Sequence, residues 1–252
     1  MLVRVAIALV IAVAGVVVLT TRHTGEHRES SCVRLAVPAY VPPDDFETAA
    51  AEGESGIVVL NPGDGPDIER DDALAAAVEQ VQAEGVVVLG YVLTGYGAAE
   101  VDTVVAQADR YARWYAVDGI FLDEVASERA DLAHYERMAS ALRAAGFGTI
   151  AMNPGVYPDP GYADAADLLV TFEGTAAEYR ALDRPAGFES TTGEWHLVHT
   201  ADADDARDAV ALAEERNVTR LFVTDRTETG DTWNALPPYF DAERAAAAAT
   251  CP

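Results

Sequence analysis

Short runs of successive apolar residues recur along this chain, and segments with apolar residues at helical spacing separate them. Runs that are apolar at every position are typical of strands buried on both faces of a parallel sheet. The runs predict strands at residues 33–40, 56–61, 86–92, 119–123, 149–152, 168–172, 196–199 and 221–224. The segments between them predict helices from about residue 44, over 71–84, 98–115 and 130–145, in a short stretch before 167, and over 176–182, 204–216 and 241–249.

Eight strand–helix units in roughly 220 residues are typical of an α/β protein with a compact (β/α)8 fold, the TIM barrel. The sequence therefore predicts a single barrel domain over residues 32–252. A doubly wound open sheet is the alternative arrangement of the same units. No Gly-x-Gly-x-x-Gly motif follows the first strand, which weighs against a dinucleotide-binding fold.

The N-terminal 21 residues predict a targeting segment rather than part of the fold. Arg4 precedes an apolar run from Val5 to Leu19, which suits a secretory signal better than a membrane span of about 20 residues. No clear small-residue cleavage motif follows Leu19, so an uncleaved membrane anchor is the alternative. Residues 22–31 predict a polar linker. Either way the barrel is expected outside the cytoplasm, secreted or tethered to the membrane.

Two cysteines, Cys32 and Cys251, bracket the predicted domain. Because an exported chain meets an oxidising compartment, we expect one disulfide that joins the two ends of the domain. Two unpaired thiols are the alternative.

The composition limits the partners that this chain can have. Half of the residues are apolar, which excludes a disordered chain, and 42 acidic residues against 17 basic ones give a net charge of −25. Such a surface repels nucleic acid and anionic membranes, whereas neutral and cationic substrates remain compatible with it. We attribute most of the acidity to solubility and coding bias, and we expect a monomer.

Polar and aromatic residues concentrate where the predicted strands end. The active sites of (β/α)8 barrels lie at the C-terminal ends of the strands. Aromatic rings beside amides and carboxylates suit a sugar, because rings stack on its apolar faces and polar groups bond its hydroxyls. The predicted substrate-binding residues are Tyr40, Asn61, Tyr91, Tyr96, Asn153, His199 and Asp225.

Three carboxylates at adjacent strand ends, Asp123, Glu124 and Glu173, suit glycosidic cleavage. One carboxyl group protonates the leaving oxygen, and another acts as nucleophile or as the base for water. Each has an alternative explanation. The adjacent acids Asp123 and Glu124 could cap the following helix, and Glu173 could be a buried structural carboxylate.

The remaining polar residues also have structural alternatives. Asn61 and Asn153 each precede Pro-Gly and could serve turn formation, and His199 could be a core histidine. His196 and His199 stand three apart on one strand and so face opposite sides, which is poor geometry for a metal. His-Glu-x-x-His, a cysteine cluster and Gly-x-Ser-x-Gly are all absent from the sequence, so neither zinc nor a serine nucleophile is expected.

Several of these strand-end motifs, taken together, resemble the spherulation-specific family 4. They are Val37-Pro38-Ala39-Tyr40, Asn61-Pro62-Gly63, Gly119-Ile120-Phe121-Leu122-Asp123-Glu124, Asn153-Pro154-Gly155 and Phe172-Glu173-Gly174. The resemblance covers about residues 34–224 and implies a (β/α)8 barrel.

The resemblance also implies an activity. Characterised fungal members form glycoside hydrolase family 135, which are endo-acting α-1,4-N-acetylgalactosaminidases, and the related family 114 cuts de-N-acetylated α-1,4-galactosamine. The essential acids of the family match Asp123, Glu124 and Glu173. We therefore expect an exported hydrolase of an amino-sugar polysaccharide that needs no metal or organic cofactor.

The expected mechanism is retaining hydrolysis. Asp123 is expected to act as nucleophile or charge stabiliser, Glu173 as general acid and base, and Glu124 to orient the sugar. Three alternatives stay open: a non-catalytic carbohydrate-binding barrel, a hydrolase of a deacetylated polymer, and a metal-dependent deacetylase. Acids after the last strand, at Asp225, Glu228 and Asp231, favour the deacetylated polymer, whereas the deacetylase lacks suitably spaced ligands.

Overall fold

A computed structural model describes residues 32–50, 56–186, 188, 192–227 and 232–251 of the chain. The predicted targeting segment and linker, residues 1–31, lie outside the described residues. The strands are β1 (Arg34–Ala39), β2 (Ile57–Leu60), β3 (Val87–Leu93), β4 (Gly119–Asp123), β5 (Thr149–Met152), β6 (Leu168–Thr175), β7 (Gly193–His199) and β8 (Arg220–Val223). The helices are α1 (Pro43–Ala49), α2 (Asp72–Ala83), α3 (Val101–Tyr115), α4 (Arg129–Ala144), α5 (Tyr162–Ala165), α6 (Ala176–Arg180), α7 (Ala203–Glu215) and α8 (Phe240–Ala248).

The eight strands form a closed barrel in sequence order, and every neighbouring pair is parallel. Pairing of β1 with β8 closes it through Arg34 with Arg220 and Leu35 with Leu221. The predicted (β/α)8 fold is confirmed, and the open sheet is wrong. The uninterrupted apolar runs are explained by this closure, because each strand has the barrel interior on one side and the helical layer on the other.

Aromatic side chains fill the interior of the barrel. The ring of Phe121 on β4 lies 5.3 Å from that of Trp195 on β7 and 6.4 Å from that of Tyr91 on β3, measured between centroids. Since β4 and β7 are not neighbours, only the interior brings these rings together. Strands β4 and β5 also pack closely at Gly119. A Cβ atom at this position would lie 2.1 Å from the carbonyl oxygen of Thr149.

A second apolar cluster lies between the barrel and the helices that follow β6, β7 and β8. It contains Phe172, Tyr179, Val198, Val210, Leu221 and Val223 among others. Asp202 caps α7 by accepting hydrogen bonds from the backbone N–H groups of Asp204 and Asp205, while Asp205 bonds back to the N–H of Asp202. Asp202 and Asp205 thus form a capping box, which satisfies backbone N–H groups at the start of the helix.

The two ends of the barrel meet beside the start of β1. Cys32 and Cys251 form the predicted disulfide, with their Cα atoms 4.5 Å apart. Next to it, the N–H of Val33 donates to the hydroxyl of Thr250. Among the described residues, no helix has the length and apolar character that crossing a membrane requires.

The predicted boundaries differ from the observed ones mainly in β6 and β7. Strand β6 runs on to Thr175 instead of ending at Phe172, and β7 begins at Gly193 instead of His196. Both differences extend pairing between these two strands, which carry a register shift between Val170 and Phe172. Glu173 therefore lies within a strand and not in the loop after it.

Candidate active site

A cavity of about 500 Å³ opens at the C-terminal ends of the strands. It is lined by Tyr96, Asp123, Glu124, Asn153, Pro154, Gly155, Val156, Glu173, Gly174, Glu178, His199 and Thr232. The three predicted catalytic acids are all among these residues. The barrel thus places side chains from distant parts of the sequence around one space, at the end where such barrels carry their chemistry.

Asn153 holds two of the carboxylates together. Its Nδ2 donates to Oδ1 of Asp123 at 2.8 Å and to Oε2 of Glu173 at 2.7 Å. The N–H of Gly155 donates to Oδ1 of Asn153, which fixes the amide with its nitrogen toward the acids. The turn role and the site role of Asn153 are therefore served by opposite ends of one side chain.

Asp123 accepts hydrogen bonds on both of its side-chain oxygens. In addition to the Asn153 amide on Oδ1, the hydroxyl of Tyr91 donates to Oδ2 at 2.9 Å. Burial raises the pKa of Asp123, while the bonds from Tyr91, the Glu124 N–H and Asn153 act in the opposite direction. The donors offset part of the effect of burial, because hydrogen bonds to a carboxylate stabilise its ionised form.

Glu124 adopts a left-handed backbone conformation, with φ of 49°. Its carbonyl accepts hydrogen bonds from the hydroxyl of Thr94 and the N–H of Tyr96, and the Thr94 hydroxyl also bonds the carbonyl of Asp123. Such a conformation costs free energy in a non-glycine residue and persists only where surrounding bonds hold it. The alternative that Asp123 and Glu124 cap the next helix is wrong, because α4 begins at Arg129.

Glu173 reaches the cavity from β6 and is solvent-exposed. Its backbone N–H donates to the carbonyl of Gly155, which ties β6 to the loop that carries Asn153. The alternative of a buried structural carboxylate is therefore wrong. An exposed carboxyl group bonded to the same amide as Asp123 can exchange protons with solvent and still act beside its neighbour.

His199 and Glu178 line the side of the cavity next to β7. Nδ1 of His199 lies 2.9 Å from the Thr200 hydroxyl, and the His199 side chain is largely buried. Glu178 belongs to the capping box of α6, and the bonds from the Thr175 N–H and hydroxyl lower its pKa. Its carboxylate is therefore engaged in holding the helix that follows Glu173.

The three tyrosines predicted to bind substrate differ in whether they line the cavity. Tyr96 is 66% exposed at the cavity rim. Tyr40 is not among the lining residues; its ring packs edge-on against Tyr91 at 5.4 Å, and burial and the nearby Asp123 raise its pKa. Tyr91 is also not among the lining residues, and its hydroxyl bonds Asp123, which is.

Asn61 and Asp225 are not brought into the cavity lining. Oδ1 of Asn61 accepts a hydrogen bond from the N–H of Gly65, which closes the turn after β2. Asp225 is exposed after β8. Glu228 and Asp231, which also favoured an acidic entrance, lie outside the described residues.

The lining carries strong negative charge. Four of the lining residues are acidic, namely Asp123, Glu124, Glu173 and Glu178, and none of the described lining residues is an arginine. Among the residues that the structure describes, no group of three or more His, Cys, Asp or Glu side chains is arranged to hold a metal ion. The arrangement suits proton transfer and carboxylate attack on a neutral or cationic ligand.

Sequence reasoning missed the residues that support the site. Neither Thr94 nor Tyr135, whose hydroxyl groups lie 3.0 Å apart, is among the residues that the sequence pattern identifies. Glu178 had a readable signal, because Thr175-x-x-Glu178 directly after a strand is a capping-box pattern. Tyr135 had none, because its contact spans 41 residues.

Comparison with known proteins agrees with this architecture. The model of a family described as "Spherulation-specific family 4" matches residues 35–247. Spherulin-4 of Physarum polycephalum is 34% identical over 151 residues, which cover 57% of this chain and 46% of that protein, so the match spans about half of the relative. The structure of Aspergillus clavatus Sph3 in complex with GalNAc superposes with a TM-score of 0.70 at 24% identity, covering 88% of this chain and all of that one.

Proposed function

This chain belongs to the spherulation-specific family 4, and we propose that it is a glycoside hydrolase that cleaves a polysaccharide containing amino sugars. The observation that carries the proposal is the pair of carboxylates on one amide nitrogen. Both Asp123 and Glu173 bond Nδ2 of Asn153, at the open end of the barrel and inside a cavity large enough for a sugar ring.

The spacing of the pair favours retention of configuration. Because both oxygens bond the same nitrogen, Oδ1 of Asp123 and Oε2 of Glu173 are at most about 5.5 Å apart. Retaining glycosidases hold their carboxyl groups about 5–5.5 Å apart, whereas inverting ones need about 6.5–9.5 Å to admit a water molecule.

The surroundings of each acid suggest its role. The Asp123 carboxylate, ionised and held by donors on both oxygens, attacks the anomeric carbon while Glu173 gives its proton to the departing glycosidic oxygen. Glu173 then takes a proton from water, whose oxygen displaces Asp123 from the sugar and restores both groups. Glu124, held rigidly by Thr94, orients the substrate beside the reacting bond.

Two observations support an amino sugar as substrate. Aspergillus clavatus Sph3, which shares this fold, was solved in complex with GalNAc. The four carboxylates of the lining suit a neutral or cationic sugar and repel an anionic one. An α-1,4-linked polymer of N-acetylgalactosamine, acetylated or deacetylated, is therefore the first substrate to test.

We also propose that the barrel works outside the cytoplasm. The disulfide between Cys32 and Cys251 supports this, because such bonds persist in oxidising compartments. The apolar run at residues 5–19 supplies the targeting segment in this proposal.

The test is a reducing-end assay on the purified chain with acetylated and deacetylated α-1,4-linked polymers. We expect turnover in the wild type and a loss of about 100-fold or more in Asp123→Asn and Glu173→Gln, because each removes one of the two acids. Glu136→Gln is the matched control, since Glu136 is exposed on the outer helix α4.

The stereochemical course follows from the same samples. NMR of the first product should show the anomer of the substrate, because two displacements at one carbon restore its configuration. Binding of the polymer without turnover in the wild type would instead identify a carbohydrate-binding barrel. Turnover that survives in both acid variants would contradict the assigned roles.

A further inference from the structure

Strand β6 contains one residue more than its pairing with β7 requires. Val170 is paired with Trp195 and Phe172 with His196, so Thr171 has no counterpart in the register. Such a bulge changes the face on which all later side chains of the strand lie. The extra residue, Thr171, lies two positions before Glu173 in the sequence.

The faces on the two sides of the bulge can be assigned from contacts. Trp195 packs on Phe121 inside the barrel, whereas His196 packs on Tyr179 of α6 outside it. Paired residues of neighbouring strands share a face, so Val170 points inward, Phe172 outward and Glu173 inward again. Strict alternation from Val170 would instead place Phe172 inward and Glu173 outward, away from the cavity. The bulge is thus what brings Glu173 to the site.

The extra residue is held by buried polar groups. The Thr171 hydroxyl donates to Oε2 of Glu194 at 3.2 Å and lies 3.0 Å from Nε2 of His196. All three side chains are buried, and Arg184 pairs with the other oxygen of Glu194 at 2.7 Å. The Tyr157 hydroxyl also hydrogen-bonds Glu194 and the Thr171 hydroxyl.

These contacts define one consistent direction of hydrogen bonding. Because Thr171 gives its only proton to Glu194, Nε2 of His196 is assigned as the donor to Thr171, and Nδ1 accepts from the Tyr179 hydroxyl. Burial lowers the pKa of His196 to about 3, which keeps the ring neutral and able to play both parts.

We propose that Thr171, held by His196 and Glu194, is a positioning residue that fixes the bulge and thereby aims Glu173 at the substrate. The inference rests on the proposed function for its kinetic consequence, but the placement of Glu173 that it explains is a structural property. Thr171 does not line the cavity that holds Asp123 and Asn153; it lines an adjoining one of about 430 Å³, to which Glu173 also contributes.

The test compares two variants that each remove one hydroxyl group from the same chain of buried hydrogen bonds. Thr171→Val keeps the branched shape but leaves Glu194 and His196 without the hydroxyl between them. Tyr179→Phe removes the hydroxyl at the far side of His196 and leaves the bulge bonded. We expect kcat to fall about 10- to 100-fold in Thr171→Val with KM within about threefold, because small misplacements of an acid reduce the rate strongly. Thr171→Ser, which restores the hydroxyl, and Tyr179→Phe should keep kcat within about twofold.

Thermal denaturation and crystal structures of the variants complete the test. Assays run well below each melting temperature separate positioning from loss of folded protein. A wild-type kcat in Thr171→Val, or an equal loss in Tyr179→Phe, would overturn the proposal. If the wild type turns over no polymer, the proposed function fails, and the crystal structures alone test whether Thr171 positions Glu173. A structure of Thr171→Val in which Glu173 has moved away from Asn153, while it stays in place in Tyr179→Phe, would support the proposal. A structure of Thr171→Val in which Glu173 has not moved would overturn it.

Discussion

The substitution Asn153→Asp tests whether the amide truly bridges two carboxylates. It replaces the amide by a third carboxylate of the same shape, and one of its oxygens can still accept from the Gly155 N–H. The other oxygen takes the place of Nδ2, 2.8 Å from Asp123 and 2.7 Å from Glu173. Carboxylate oxygens this close repel one another unless a proton lies between them, so the folded variant should hold an additional proton.

The size of the effect follows from Coulomb's law. Unit charges about 4 Å apart interact by about 4 kcal/mol at an effective dielectric of 20, which is equivalent to about 3 pKa units. The pKa of the new acid should therefore rise from about 3.9 in the unfolded chain to about 7 in the folded one. The pKa of the new acid is higher in the folded chain than in the unfolded one. Below about pH 4 the acid is protonated in both states, so its charge does not destabilise the variant. As the pH rises toward 7, the free energy of unfolding of the variant falls.

The assay is urea unfolding of wild type and variant at pH 5 and pH 8, both above the isoelectric point of about 4.3. The difference in free energy of unfolding between wild type and variant should be about 2 to 3 kcal/mol larger at pH 8 than at pH 5. Asn61→Asp is the matched control, because Asn61 accepts one hydrogen bond in a turn and none of the described carboxylates is bonded to it. An equal difference between wild type and Asn153→Asp at both pH values would refute the bridging geometry.

Three further predictions follow from described contacts. Tyr91→Phe removes a donor to Asp123 and so raises the pKa of that acid further; the acidic limb of the kcat/KM profile should move to higher pH, and an unmoved limb would contradict the assigned contact. Replacing Cys32 and Cys251 by serine should lower the free energy of unfolding by up to about 5 kcal/mol in a denaturant titration, because the disulfide closes a loop spanning 219 residues. A loss under about 1 kcal/mol would argue against this contribution of the disulfide to stability. Gly119→Ala should reduce the yield of folded protein or cost about 3 kcal/mol, since the new methyl group would meet a carbonyl oxygen of β5; wild-type stability in thermal denaturation would show that the strands can separate.

The parts of the fold that rest on local pattern were predictable. Buried parallel strands are largely apolar, so the end of a strand is often marked where polar residues begin, as at Asp123 after Phe121 and Leu122. The fold rule then places such ends on one rim. This is why acids from two separate strands, Asp123 and Glu124 at the end of β4 and Glu173 on β6, could be assigned to one site before any distance was known.

The parts that rest on pairing between distant segments were not predictable. The bulge at Thr171 depends on which residues of β7 lie opposite it, and nothing in the local pattern of β6 marks an extra residue. The double contact of Asn153 is of the same kind, because its partners are 30 and 20 residues away. Asn61 and Asn153 both precede Pro-Gly, yet only the latter reaches the acids, since position on the rim separates them.

The disulfide between Cys32 and Cys251 makes the barrel a covalent ring as well as a closed sheet. Its junction lies beside the start of β1, on the rim opposite the cavity, and the ends it joins are 4.5 Å apart at Cα. A peptide linker could replace it, and new ends could then be cut elsewhere on the same rim, giving circular permutants with the catalytic loops intact. For the same reason, the barrel immobilised through either terminus on a solid support would present its cavity to the solution.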